Sequence, residues 1–567
     1  MRYLLVAAVI GLLVWLKLAL CSNQLLELYP NSAPMDDELM FGAAREVFAG
    51  NWLGDYNYLT IAKHMFFSVW LAGVMKLGIP YVIACELMYL ISCAAAALAV
   101  RPLFKKTWPM LLVFCALWMS PYSWAAFTLR VYRDSIYSSL CLLFFAGIVG
   151  MCARYKEPLW RSLVFAALGG LGFGLSWITR EDGIWLVPFA LCAAAVYIIM
   201  LIINRVGARS FAKRMGAVVL SVAVALACIG AFCYENYVHY GRFIVSDFSS
   251  GEFEDAVGAL IRADSDRPHD DNVLVCYEAR QKIAEVSPMW AEIENFIAQN
   301  PALYGSYGFG ADTKEFKSGG FCWALRRIVS ELGYADTALK AREYYQSLAD
   351  EINAACDSGL IQTPYSKMST TLMPFDGTYV GRTLAEVGNS IKLLLTFDQT
   401  SSIARGNYGL YDEVSSYLRL LHTNTANEYD ENGAIIVYDY QTAAESKFTV
   451  IRTVYKIAIW PMLALGFVGL ALDIADMVGD LRRKKTGMAG LRGIVLLGLL
   501  LCVLLRVGII SYIEAVSFKI GTYLLYLASA GPPLLMFVSL GTASVVCRII
   551  AKRRKKNAAA PEVPSAR

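Results

Sequence analysis

The sequence predicts an all-α polytopic membrane protein: about 10–11 transmembrane helices, with a mainly helical extracytoplasmic domain inserted before the last three. Three observations predict this. Of 567 residues, 57% are hydrophobic and 17% charged, against about 25% charged in an ordinary soluble chain. The apolar residues collect in runs of roughly 18–22, the length an α-helix needs to cross hydrocarbon. Charge is divided too: residues 234–450 hold 17 Lys and Arg against 31 Asp and Glu, a net of −14, and the remainder holds 34 against 16, a net of +18.

In chain order, the spans fall at 3–20, 80–100, 108–128, 134–153, 161–178, 184–203, 215–234, 452–475, 492–512 and 523–547. Lys17 near the far end of the first run, and no small-x-small cleavage pattern before Cys21, make that run an uncleaved helix. Segment 62–79 does not cross. Its apolar core, Phe66 to Ile79, is short and contains Lys76, so it lies at the outer surface or dips in and returns. The division is then 1–234, a membrane domain with an outer juxtamembrane loop at 21–79; 235–450, an acidic extracytoplasmic domain; 451–550, the last membrane helices; and 551–567, a disordered basic cytoplasmic tail.

Orientation follows the basic residues. Arg101, Lys105 and Lys106, then Arg154, Lys156 and Arg161, then Arg205 to Arg214, then Arg482 to Lys485 with Arg492, and finally Arg548 and the run from Lys552 to Lys556 mark the cytoplasmic connections, the C-terminus among them. The acidic domain faces out. Within it, 275–300, 321–332 and 336–358 carry apolar residues at helical spacing. An acidic soluble part excludes a nucleic-acid partner. Four histidines with no CxxC or HExxH supply no zinc site. Among Cys276, Cys322 and Cys356 one disulfide is open.

Four charged clusters interrupt or border the apolar runs, and this topology brings all four to the outer side. The first is Asp36-Asp37-Glu38, at a helix start that suits negative charge. Leu39, Met40, Ala43, Val47 and Phe48 then line one face, which suits a helix lying on the membrane. Capping alone also explains the acids. The second is Arg130, Arg133 and Asp134; arginines three apart on a helix share a face and can clamp a phosphate, or pair locally with the acid. The third is Arg180-Glu181-Asp182, in a turn so short that its charges stay at the membrane edge, where they need partners or a wet cavity, unless they only cap a helix. The fourth is Arg506, deep in an apolar run, with a lipid phosphate or Glu514 as partner.

The stretch from Asp36 to Lys63 resembles the first outer loop of the GT-C superfamily, the polyprenyl-phosphate-sugar-dependent membrane glycosyltransferases that include protein O-mannosyltransferases and the lipid A aminoarabinose transferase. The matching residues are Asp36 or Asp37, then Gly50, Trp52 and Tyr56, then Lys63, followed here by His64 and Met65 where the family has Lys-Pro-Pro. The resemblance covers roughly residues 1–205 in layout. It implies a GT-C-type inverting transferase in a bacterial inner membrane, moving a sugar from a polyprenyl-phosphate donor to a glycan, lipid or protein acceptor in the cell envelope.

Such a transfer needs a base at the acceptor and positive groups at the departing phosphate. Asp36 and Asp37 are the catalytic candidates, since desolvation raises a carboxyl pKa toward the working range. Lys63, Arg130, Arg133, Arg180 and Arg506 are candidates for the phosphate, with Asp134 and Asp182 as secondary acids; Lys63 also reads as an interfacial anchor. No cofactor and no metal ligand set is assigned. A divalent cation beside the acids stays open, although Asp36 and Asp37 alone supply too few oxygens. Two other classes compete: a lipid or solute transporter or flippase, against which stand no inverted repeat and no broken helix pair in matching halves, and a non-catalytic membrane-anchored cell-envelope assembly protein.

Overall fold

The computed structural model describes residues 2–30, 33–249, 251–264, 272–317, 319–423, 428–432, 434–483, 487–519, 521 and 523–558. It is an all-α polytopic membrane protein. The helices are α1 (Arg2–Cys21), α2 (Asp37–Ala49), α3 (Phe66–Leu77), α4 (Tyr81–Val100), α5 (Trp108–Trp118), α6 (Asp134–Ala153), α7 (Leu159–Trp177), α8 (Val187–Ile203) and α9 (Ala208–Tyr240). There follow α10 (Glu252–Ala263), α11 (Tyr277–Val286), α12 (Pro288–Gln299), α13 (Gly320–Glu331), α14 (Ala338–Asp357), α15 (Val380–Thr396) and α16 (Tyr411–Leu420). The last are α17 (Asp439–Arg482), α18 (Met488–Ile513), α19 (Leu524–Leu527) and α20 (Gly531–Ala558). Among the described residues, strand is confined to two hairpins of two-residue strands, Phe309–Gly310 with Glu315–Phe316 and Glu428–Tyr429 with Ile435–Ile436.

Among the described residues, eight helices are long and apolar enough to cross a membrane: α4, α6, α7, α8, α9, α17, α18 and α20. The expected span at 108–128 is not one straight helix. α5 ends at Trp118, and after a bend of 43° the chain continues in short 3₁₀ turns between Pro121 and Leu129; Pro121 cannot extend the α5 hydrogen-bond ladder. α3 has 12 residues, too few to span, as segment 62–79 was expected to be. In α1 the described apolar stretch is Val6–Cys21.

Glycine sets the closest packing. A Cβ on Gly147 or Gly172 would collide with the facing backbone of α7 and α6, and one on Gly174 would stand 2.8 Å from the Ala225 carbonyl oxygen of α9. The LGGLGFG run of α7 therefore lets it lie tightly between α6 and α9, which fixes the turn at its end, Thr179–Asp182. α1 and α4 are joined by an ion pair inside the bundle: Lys17 Nζ lies 2.6 Å from Glu86 Oε2 and donates to Ser123 Oγ at 2.7 Å. Both side chains are buried, and the ammonium also stands over the rings of Tyr89 and Trp118.

The basic connections gather at one end of the bundle. Arg154 donates to the carbonyls of Leu98 and Ala99, and Arg492 to that of Leu103. Buried Asp473 of α17 accepts from Arg492, Arg548 and Ser544. Lys484 and Lys485 lie outside the described residues. We call this the basic end and the opposite one the domain end.

Residues 253–361 build a separate core around Phe253, Trp290, Phe321 and Leu348. The long helix expected over 275–300 is two, broken where Ser287 caps α12 and Pro288 opens it. Cys276, Cys322 and Cys356 are buried free thiols, so the optional disulfide is not formed. Beyond Met373 the chain leaves this core: Leu393 and Leu394 join the membrane cluster, and Tyr417 and Leu421 pack with α2 and α3. The α2 face expected to lie on lipid is largely covered by protein, for Met40 and Ala43 are buried in that same cluster. The tail expected to be disordered from 551 continues α20 as far as Ala558, and 559–567 lie outside the described residues.

Candidate active site at the domain end

Asp36 stands at the N-cap of α2, but its side chain makes no cap bond. It accepts instead from Lys63 Nζ and, at 2.9 Å, from the Tyr132 hydroxyl. The carboxylate side chain is 45% exposed. Burial of its surroundings works to raise its pKa, but the Lys63 ammonium and the bonds from Lys63 and Tyr132 outweigh this and pull it down to about 2. Asp37 behaves in the opposite way. It is buried and takes Arg130 on both oxygens, the Nε bond being 3.1 Å. Burial raises its pKa above the ordinary value despite Arg130. The expected upward shift thus holds for Asp37 and not for Asp36.

Arg130 and Arg133 do not share a helical face. Arg130 has extended backbone and is pinned by the Tyr81 hydroxyl, which donates to its carbonyl at 2.7 Å. Arg133 precedes the first turn of α6 and donates to Glu181 Oε1 at 2.8 Å and to the Thr179 carbonyl at 3.4 Å. Burial opposes ionisation of Glu181, yet Arg133 holds its pKa below the carboxylate range.

The third and fourth clusters meet in one chain of ion pairs. Arg180 donates to Asp134, at the start of α6, and to both oxygens of Asp182 at 3.2 and 3.0 Å. Arg506 donates to Asp182 Oδ2 at 2.7 Å and to the Tyr526 carbonyl at 2.8 Å. Glu514, the sequence-level alternative for Arg506, accepts from the Gly521 N–H instead. Arg506 is fully buried among Tyr137 and Trp185, a depth that demands such pairing. Among the described residues, Asp134 Oδ2, Arg133 Nε and Arg506 Nε have no hydrogen-bond partner.

All nine residues singled out in the sequence therefore stand at the domain end in two linked groups, with Tyr132 and Arg133 between them; the Arg133 guanidinium lies 5.5 Å from the Tyr132 ring centre. Sequence reasoning missed Tyr132, His64 and Tyr526 as contributors, and left Glu181 out of the site. Tyr132 and Glu181 lie inside motifs already picked out for their charges. Tyr526, which contributes a backbone carbonyl, carries no such signal. His64 sits beside Lys63, with Nδ1 2.5 Å from the Trp177 carbonyl and Nε2 2.7 Å from Ser249 Oγ. The carbonyl can only accept, so Nδ1 carries the proton and Nε2 accepts. Its backbone N–H donates to Glu181, so one residue ties α7 to the loop that carries Lys63.

A cleft of about 1050 Å³ runs along α2, past Pro34, Glu38, Gly42 and Glu46, to Asp55, Tyr56 and Asn57. Tyr240 and Thr337 also line it. Pro34 and Met65, two residues from Asp36 and Lys63, line it as well. Among the described residues, no group of three or more His, Cys, Asp or Glu converges as a metal ion requires.

The fold and site define a polytopic all-α membrane protein with a linked acid–cation site at one end of its bundle. No family model and no curated protein matches the chain. Among solved structures it is similar to the crystal structure of ArnT from Cupriavidus metallidurans in the apo state, with 15% identity and a TM-score of 0.32, over 99% of this chain and 82% of that chain. So loose a likeness carries no weight for the chemistry, which rests on the geometry above.

Proposed function

We propose that the protein is a membrane glycosyltransferase of GT-C type that moves a sugar from a polyprenyl-phosphate donor to an acceptor hydroxyl or amine, with the domain end facing out of the cytoplasm. The observation that carries this reading is an accessible carboxylate, Asp36, bonded to an ammonium and a phenol at the end of a membrane bundle. Lys63 and Arg130 keep some exposure, whereas Arg180 and Arg506 are buried behind their acids. Lys63 and Arg130 then meet the donor phosphate, with Arg133 behind them offering its spare N–H. The chain Asp134–Arg180–Asp182–Arg506 positions the surrounding turns.

In the inverting step the acceptor oxygen or nitrogen forms a bond to the anomeric carbon as the bond from that carbon to the phosphate oxygen breaks. The electron pair leaves on polyprenyl phosphate, and the acceptor proton passes to Asp36. A carboxylate held near pKa 2 is a poor base. The donor phosphate draws Lys63 away from Asp36 and adds negative charge beside it, and both effects raise the carboxyl pKa. Donor binding and base activation are thereby linked. The acid-lined cleft along α2 takes the acceptor.

The test is sugar transfer from a synthetic short-chain polyprenyl-phosphate sugar by the purified protein in nanodiscs. Asp36→Asn is expected to lose transfer by about 10²–10⁴-fold, the usual worth of a general base, with the helical fold retained by circular dichroism. Transfer that survives Asp36→Asn in a folded protein overturns the assignment.

A further inference from the structure

Phe375 and Leu384 are 72% and 64% exposed, and Leu372 and Val380 are exposed beside them, although the sequence assigns all four to an aqueous domain. This segment does not share that domain's core. Met373 and Tyr379 pack on Ala515 and Val516, just past the end of α18. Ser390 and Ser511 hydroxyls lie 3.0 Å apart, and the Tyr512 hydroxyl donates to the Met373 carbonyl at 3.2 Å. In α15, Val380 and Leu384 are exposed one turn apart, while Val387 and Ile391 further along pack against the membrane cluster.

The level of this patch follows from α18. Leu497, Leu501 and Leu504 form its exposed apolar stripe, and Gly508 and Tyr512 continue the same spacing. The Phe375 ring stands on that of Tyr512, centroids 6.1 Å apart and planes 30° apart. Arg492 is anchored to Asp473 at the basic end. Tyr512 lies 20 residues further on, about 30 Å at helical rise, which matches the hydrocarbon thickness. Tyr512 therefore marks the far boundary of the hydrocarbon, and Phe375 stands there with it. Four large apolar side chains facing water within one short stretch are costly, and a soluble surface rarely carries them.

We propose that residues 372–391 form an interfacial segment whose partner is the bilayer, with Leu372, Phe375, Val380 and Leu384 buried among the acyl chains of the leaflet at the domain end. The segment borders the link to α19, whose Tyr526 carbonyl holds Arg506, so lipid comes to the edge of the charged site.

The experiment places photoreactive benzoylphenylalanine at Phe375 or Leu384 of the full chain in phosphatidylcholine–phosphatidylglycerol nanodiscs. Leu501 on the lipid face of α18 and Glu343 on α14 are the controls. Lipid adducts by intact mass at Phe375 and Leu384, matching Leu501 and absent at Glu343, are expected. Adducts at Leu501 alone overturn the proposal, as does crosslinking of Phe375 to a second copy of the chain. Phe375→Asp with Leu384→Asp is also expected to raise hydrogen exchange across 380–391 by about tenfold; unchanged exchange overturns the proposal equally.

Discussion

His64 shows how one side chain carries a condition on the whole site. It is buried with its proton fixed on Nδ1, and burial lowers its pKa below 6.5. The unfolded chain then binds the proton more readily than the folded one below pH 6.5, so stability falls as pH drops through that value toward the folded pKa. Above pH 6.5 the contribution is complete. Thermal unfolding in detergent between pH 7.5 and 5.5 should show this slope, and His64→Gln, which keeps a donor and an acceptor, should flatten it. An unchanged slope in the variant would assign the acid lability elsewhere. Asp36 has no such leverage at these pH values, since its pKa lies near 2.

Between elements, the Lys17–Glu86 pair is the sharpest test of what holds α1 to α4. Its worth is not the Coulomb attraction alone, because desolvation of two buried ions offsets much of that gain. Removing one partner is another matter: Glu86→Gln leaves the Lys17 charge buried with only Ser123 and two rings. A loss of about 3–5 kcal/mol is expected. The double change Lys17→Met with Glu86→Leu should recover most of it, read as the melting temperature in one detergent. If the double variant melts with the single one, the pair contributes by attraction rather than by avoiding a bare charge. The sequence marked Lys17 only as a sign that the first helix is retained; its partner, 69 residues away, is set by packing that no local pattern encodes.

Across the whole molecule, the legible features were those that repeat or that must be compensated. Runs of apolar residues gave the long helices. The topology read from the basic connections brought the clusters of Asp36, Arg130, Arg180 and Arg506 to one side of the membrane. Pairing was not legible: the motif spacing suggested arginines acting together on a phosphate, whereas Arg130, Arg133 and Arg180 each meet a different acid. The bend after α5 was hidden because Pro121 lies within an apolar run that satisfies the length rule. The lipid-facing stretch near Phe375 was hidden because its segment is acidic on average.

The carboxylate of Asp473 sets an order on biosynthesis. It enters the membrane with α17; Arg492 follows in α18, and Ser544 and Arg548 arrive only with α20. Until α20 is made, the carboxylate has Arg492 alone and lacks the bonds from Ser544 and Arg548, a mark by which quality control can tell an unfinished protein from a finished one. A chain stopped after Gly541 should be cleared faster in pulse–chase than one that includes all of α20, and Asp473→Leu with Arg492→Leu in the stopped chain should slow its clearance. Equal half-lives would mean that proteases read some other sign of incompletion.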